Sequence, residues 1–182
     1  ILDVHRLDFT EWEAAGFWDD AYTPFSLFED DAIVATGCVY LLDAVVTGRR
    51  TRLAQISGMA TRADRRGEGL GRRVLDAGLE WARGRHEGVF LFSDEDAVGF
   101  YGKYGFAPVE EFVETTELHP VARRDGLVKL DPGDAGDRAR IHDYARRRVP
   151  VSDEFCIWGE KLLMFHALYT LRDHAYEVPE LE

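Results

Sequence analysis

Between Gly58 and Leu75 the chain passes from a strand-like run into a loop with glycine at every second position, and then into the first turn of a helix. No other stretch restricts the possible folds as much. Gly67, Gly69 and Gly71 carry no Cβ, so the backbone can bend tightly and its amides can approach a ligand. The helix that follows aims its free N–H groups and positive dipole end back at the loop. Arg65, Arg66, Arg72 and Arg73 add side-chain charge. Such an arrangement holds a phosphate or pyrophosphate. Two familiar phosphate fingerprints are excluded. The dinucleotide motif needs G-x-G-x-x-G and an acidic residue about 20 positions on, and here the spacing is Gly67-x-Gly69-x-Gly71. The nucleotide-triphosphate loop needs Gly-Lys-Ser/Thr, which is absent.

The elements around this loop can be read from periodicity. Residues 9–20 have helical spacing, with Phe9, Trp12, Phe17 and Trp18 giving it aromatic weight, and Pro24 is expected to end the segment. Phe25–Phe28 and Ala32–Leu42 read as strands joined by the acidic turn Glu29-Asp30-Asp31. Arg52–Met59 follows as a third strand after the turn Thr47-Gly48-Arg49-Arg50. Leu70–Arg83 is an amphipathic helix with Leu70, Val74, Leu75, Leu79 and Ala82 on one face. Val89–Phe92 is wholly apolar, as expected of a strand buried on both faces. Ala97–Tyr104 is a short helix ended by Gly105. Phe106–Leu118 and Gly126–Leu130 are expected to pair as strands.

A second motif lies about 30 residues beyond the first: Gly99-Phe100-Tyr101-Gly102-Lys103-Tyr104-Gly105-Phe106. Together the two resemble the GCN5-related N-acetyltransferase (GNAT) superfamily. Its acyl-CoA motif, Gln/Arg-x-x-Gly-x-Gly/Ala, is matched by Arg66 to Gly71, and its Phe-Tyr-x-x-x-Gly-Phe motif by Phe100 to Phe106. The resemblance covers roughly residues 20–131 and extends more loosely to the Eis-like branch. It implies an α/β (α+β) fold, with a mixed, mostly antiparallel central sheet flanked by helices.

The same resemblance implies an acetyl group moved from acetyl-CoA to a primary amine of a small molecule or peptide by direct attack. Met59, Ala60 and Thr61 would hold the pantetheine arm where the strand before the loop splays from its neighbour. The amides of Gly67, Gly69, Gly71 and Arg72, with the Arg66 side chain, would take the pyrophosphate. Tyr101 matches the tyrosine that often protonates the departing thiolate, although a packed core tyrosine has the same spacing. Many relatives place a carboxylate on the strand before the loop as general base. Arg52 to Ser57 contains none, so Asp94 to Asp96 and Glu29 to Asp31 are the candidates, with Asp94 foremost. The missing carboxylate also keeps open a non-catalytic acyl-CoA-binding or regulatory module.

Charge and composition narrow the partners. A net charge of −12 opposes nucleic-acid binding and favours a cationic second partner such as an amine. The longest apolar run, Leu162–Leu168, is far too short to span a bilayer. With no basic and apolar leader pattern at the start, and with Cys38 and Cys156 in apolar surroundings without CxxC spacing, a cytoplasmic protein is expected. The histidines show no metal-ligand spacing, so no metal site is expected.

Residues 1–131 read as the acyl-CoA-binding core, with its N-terminal strand and helix poorly matched. Beyond Asp131 the texture changes. Asp134 and Asp137 lead a helix that ends in Arg146-Arg147-Arg148, a charge order that suits the macrodipole. Glu160–Leu168 is ambiguous between helix and strand, and Tyr169–Val178 could form a hairpin about Arg172-Asp173. Residues 132–182 are thus either a C-terminal extension or the opening of a second, truncated domain of the same type. The abrupt end at Glu182 suggests a fragment of a longer protein. An apolar run there would want a partner surface, which makes a homodimer possible.

Overall fold

The computed structural model describes residues 8–110 and 126–178. A short helix α1 (Thr10–Ala14) precedes three strands, β1 (Tyr22–Glu29), β2 (Ala32–Val46) and β3 (Arg49–Thr61), which form an antiparallel meander. Helix α2 (Leu70–Ala82) then carries the chain to β4 (Gly88–Leu91), which lies parallel to β3. Helix α3 (Glu95–Gly102) follows. The sheet order is β1-β2-β3-β4, a mixed and mostly antiparallel sheet with helices on both faces.

Both turns of the meander are set locally. Asp30 and Asp31 have φ of 47° and 63°, and Thr47 and Gly48 have 49° and 74°. Two consecutive positive φ values give the tight hairpin turn whose twist matches the flanking strands, and Asp and Gly tolerate it best. Pro24 does not end a helix. It lies within β1, opposite Cys38, where an edge strand tolerates its missing N–H; the helix stops ten residues earlier, at Ala14.

Strand β2 is the spine. Val34 to Leu42 are all buried, as a near-continuous apolar run demands when both faces are covered. Its alternation sorts the core. Val39 and Leu41 pack with Ala54, Ile56, Leu75, Ala82 and Tyr101 under α2 and α3. Cys38, Tyr40 and Leu42 face the other way, toward Trp12, Phe17 and residues from beyond 126.

Those later residues form β5 (Val128–Lys129), α4 (Ala135–Arg147), β6 (Phe155–Ile157), α5 (Glu160–Leu168) and β7 (Tyr176–Glu177). The ambiguous run at 160–168 is helical, and Leu130, Ile141, Met164, Ala167 and Leu168 enter the core of the second face. Strand β6 pairs with Ala44–Val46 of β2, whose other edge is already taken by β3. It therefore continues the column begun by β1: Leu41 N–H donates to Ala21 O (2.8 Å) and Trp158 N–H to Asp43 O (2.7 Å). No hairpin forms about Arg172-Asp173. That segment is a single 3-10 turn, and β7 pairs with β5, so Val128–Lys129 is matched from the C-terminal side. The expected strand at Phe106–Leu118 is absent over 106–110, and its remainder lies outside the described residues.

Candidate active site

The site begins with an irregularity in the sheet. Thr36 pairs with Ala60 and Cys38 with Ser57, so Gly37 alone faces both Gly58 and Met59. This is a β-bulge, and Gly58 takes the positive φ (59°) that the first bulge residue requires. The bulge turns the Met59 side chain across β2, where a Cβ on Gly37 would collide with Met59 Sδ and lie 3.0 Å from Val74 Cγ1. Gly37 is thus part of the site's framework, and sequence reasoning missed it. The signal was present as a lone glycine inside an apolar strand pattern.

Just before the bulge the sheet opens. The β3–β4 ladder ends at Ile56 and Leu91, whereas β3 runs on to Thr61. Met59, Ala60 and Thr61 lie in this last stretch, with Ala60 and Thr61 held on one side by β2. Gly71, in the first turn of α2, approaches so closely that a Cβ there would lie 3.3 Å from Thr61 Oγ1. The strand end, the glycine loop and the helix N-terminus therefore meet in one place.

The loop itself is open. Gly67 and Gly69 have φ of 84° and 76°, and a Cβ built on either meets nothing within 4 Å. Gly69 is the N-cap of α2 and offers no side-chain cap, which leaves the first-turn amides available to an anion. The five arginines between 62 and 73 have different roles. Arg65 is a strut: it grips Glu68 through two hydrogen bonds (2.7 and 2.9 Å) and also binds Glu29 of the β1–β2 turn. Arg62 beside Asp64 holds that carboxyl down to about 2. Arg72 lies 3.6 Å from Asp76. Arg66 and Arg73 have no ion-pair partner among the described residues, and Arg66 is exposed at the loop. These are suitable features for a pyrophosphate cradle.

Tyr101 and Asp94 come from the two ends of α3. Tyr101 is 9% exposed and packs with Ile56, the last β3 residue in the parallel ladder. Its ring meets Phe100 and Phe106 at 5.1 and 5.9 Å. Burial, and secondarily the Asp94 charge, push its hydroxyl above the ordinary tyrosine range. Asp94 is the exposed N-cap of α3. Glu29, the other candidate base, is taken up by Arg65, which holds its carboxyl below the usual range. On the opposite face the Tyr22 hydroxyl lies beside Cys38 and Ser57, and burial pushes both Tyr22 and Cys38 up. They are neutral hydrogen-bonding groups at physiological pH, so they supply no ready base.

Comparison with known proteins gives a family and a fold. The model of the acetyltransferase (GNAT) family matches residues 3–106, more than half of the chain. Among solved structures, a mutant protein of Bacillus halodurans is 19% identical with a TM-score of 0.51, over 62% of this chain and 75% of that one. A predicted acetyltransferase of Clostridium acetobutylicum, solved with acetyl-CoA, is 25% identical with a TM-score of 0.48, over 53% and 65%. The glucosamine-6-phosphate N-acetyltransferase of Arabidopsis thaliana is 18% identical with a TM-score of 0.49, over 59% and 74%. A search of curated proteins finds no relative. Among the described residues no helix is long and apolar enough to cross a membrane.

Proposed function

The chain belongs to the GNAT acetyltransferase family, and from that premise we propose that it binds acetyl-CoA and transfers the acetyl group to a primary amine. The observation that carries this reading is the parting of β3 from β4 after Ile56, directly beside a glycine loop that ends on an uncapped helix. Acetyl-CoA supplies an acyl group already activated as a thioester. Met59, Ala60 and Thr61 line the opening for the pantetheine arm. Gly67, Gly69, Gly71 and Arg72 turn their amides toward the pyrophosphate, and Arg66 adds a free guanidinium.

In the transfer, the amine nitrogen bonds to the thioester carbonyl carbon, the carbon–sulfur bond breaks, and the amine loses a proton while the thiolate gains one. Tyr101 is the donor to sulfur. An alkyl thiol has a pKa of about 8.5 and a tyrosine of about 10, so donation is uphill even before burial raises Tyr101 further. The tyrosine therefore acts as a hydrogen-bond donor that helps only as charge develops on sulfur. Asp94 is the candidate base, and its charge also keeps Tyr101 protonated. Rate enhancement comes chiefly from positioning. We read residues 1–131 as the catalytic core and 132–182 as an extension that covers its sheet, in a cytoplasmic protein whose −12 charge favours a cationic acceptor.

The test is release of CoA thiol from acetyl-CoA over a panel of amines, with CoA binding followed separately by calorimetry. Tyr101→Phe is expected to lower kcat by about 100-fold, the lower end of general-acid effects, and to leave the CoA affinity unchanged. An unchanged kcat at every pH removes the acid role. A second reading is favoured by the absence of a carboxylate on β3: a module that binds acyl-CoA without turnover. Tight CoA binding with no thiol release for any amine selects it.

A further inference from the structure

We propose that a cleft between the end of α1 and the helices α4 and α5 binds a small organic anion, a carboxylate or phosphate on an apolar body, at a site separate from the glycine loop. The cleft has a volume of about 520 Å³, within the range of small-molecule sites. Its walls share no residue with the loop.

The charge pattern of α4 carries the argument. Arg138, His142 and Arg146 are spaced four residues apart, so they form one stripe, and all three line the cleft. Of the other arginines on and near α4, Arg140 is paired with Asp137 and Glu177, Arg147 with Asp143 and Arg172 with Glu11, while Arg148 donates to the Ile157 carbonyl. The two cleft arginines also lack an ion pair among the described residues. Arg138 donates only to the carbonyls of Pro132 and Gly133, both at 3.1 Å, and Arg146 has no carboxylate partner among the described residues. Arg138 and Arg146 thus line one concavity with no carboxylate at ion-pair distance among the described residues, and the charge of Arg138 is felt at Asp134. Their remaining guanidinium N–H groups can donate to an anion.

The surroundings suit a ligand with a body as well as a charge. Phe17 is 7% exposed and meets the His142 ring edge-on at 5.0 Å, giving an aromatic wall. Ala139 lies between the arginine positions and leaves room above the helix. Two groups temper the positive field. Lys161 lines the cleft but is already bound to Asp19, and Glu160 also lines it, with its charge felt at Tyr40 beneath. The wall is anchored: Trp12 Nε1 donates to Lys161 O (2.9 Å), and the Trp12 backbone N–H donates to Tyr169 Oη (3.1 Å). Arg138, fixed by two carbonyls, is thus presented on a preorganised surface.

The experiment is a titration of the isotopically labelled protein with phenyl phosphate and with benzoate, read from backbone amide shifts, with benzylammonium as the cationic control. Saturable shifts in residues 135–147 are expected with an anion and not with the cation, and the preferred anion tells a phosphate-bearing ligand from a carboxylate-bearing one. Arg146→Glu, at an exposed position, is expected to weaken binding by about tenfold or more, the usual size of a lost charged hydrogen bond. Arg138→Gln tests the second contact, with a thermal melt to show that the turn at Pro132 survives. Shifts confined to residues 67–73, equal shifts with benzylammonium, or parental affinity in both variants would overturn the proposal. Because the loop and the cleft report on different amides, failure here is separable from failure of the acetyl-CoA reading.

Discussion

The two faces of the central sheet are built by different means. The face under α2 and α3 is covered by helices that lie in the chain immediately beside the strands they protect, and its backbone is shaped by glycines. The opposite face is closed by α1 and by α4 and α5, which come from the two ends of the described chain and are stitched to it by side chains. The first design leaves an opening with free amides, suited to a phosphate-bearing ligand. The second gives a dense aromatic core with a basic cleft at its margin. The glycine-shaped opening and the dense aromatic core thus lie on different sides of one sheet.

The sharpest way to break this division is to remove the centre of the aromatic face. Trp12 is 1% exposed, sits among Phe9, Trp18, Tyr22, Tyr40 and Phe165, and binds the Lys161 carbonyl. Trp12→Ala is expected to cost about 3–5 kcal/mol, the usual range for truncating a buried aromatic, measured as a shift in urea midpoint. In the fraction that stays folded, CoA affinity is expected to remain within about twofold, well under 1 kcal/mol. A large loss of affinity in folded protein would mean that the two faces are coupled.

A matched pair of glycines sharpens the comparison from the other side. Gly16 and Gly69 have nearly the same φ, 79° and 76°, and a Cβ on either meets nothing within 4 Å. Replacing each with valine forces a β-branched residue into the left-handed region, at a cost of about 1–3 kcal/mol. Both variants are expected to lose similar stability. Only Gly69→Val is expected to lose CoA binding, by about 100-fold, equivalent to one or two phosphate hydrogen bonds. Equal affinities in the two variants would remove the loop from the binding site. A smaller effect is expected from Gly37→Ala. The new methyl must displace Met59 Sδ, a flexible side-chain atom, at about 1 kcal/mol; the expected result is a modest fall in Tm with raised KM for acetyl-CoA.

The same contrast explains what the sequence made legible. The meander, α2, β4 and α3 were readable because each signal is local: alternating or continuous apolar runs, Asp and Gly at turns, glycines at alternate positions. The apolar run of β4 located the strand but not its burial, since Gly88–Leu91 is only half-buried and Phe92 is exposed. The motif pair Arg66–Gly71 and Phe100–Phe106 then led to the family. The other face was not readable in this way. Nothing near Phe155 indicates that it will pair with Val46, and Val128 finds its partner at Glu177 rather than at a neighbouring strand. Pro24 misled because its rule depends on whether a strand lies at an edge, which is a property of the sheet. Within the site, the strut of Arg65 between Glu29 and Glu68 depends on the hairpin folding back to the loop, a contact that spacing alone does not reveal.

The smallest effect separates the two faces by their helix caps. Helix α2 begins at Gly69 with no side-chain cap, whereas α4 begins at Asp134, whose carboxylate accepts from Gly136 N (2.8 Å) and Asp137 N (3.0 Å). Those amides hold the Asp134 carboxyl below its ordinary value. The sign follows: a carboxyl depressed in the folded state adds stability that is fully present above the unfolded pKa, about 3.9. That stability is lost as pH falls through the lower, folded value. Asp134→Asn keeps an acceptor at the cap but cannot titrate. The parent is therefore expected to exceed the Asn variant slightly in stability at pH 7, with the difference vanishing in acid, read from hydrogen exchange of the α4 amides. Helix α2, whose N-cap Gly69 has no side chain to titrate, is expected to show no such step in the absence of CoA. An acid-dependent loss of protection of equal size in α2 would show that its N-terminus is closed by a carboxylate after all, and the distinction between an open helix and a capped one would fail.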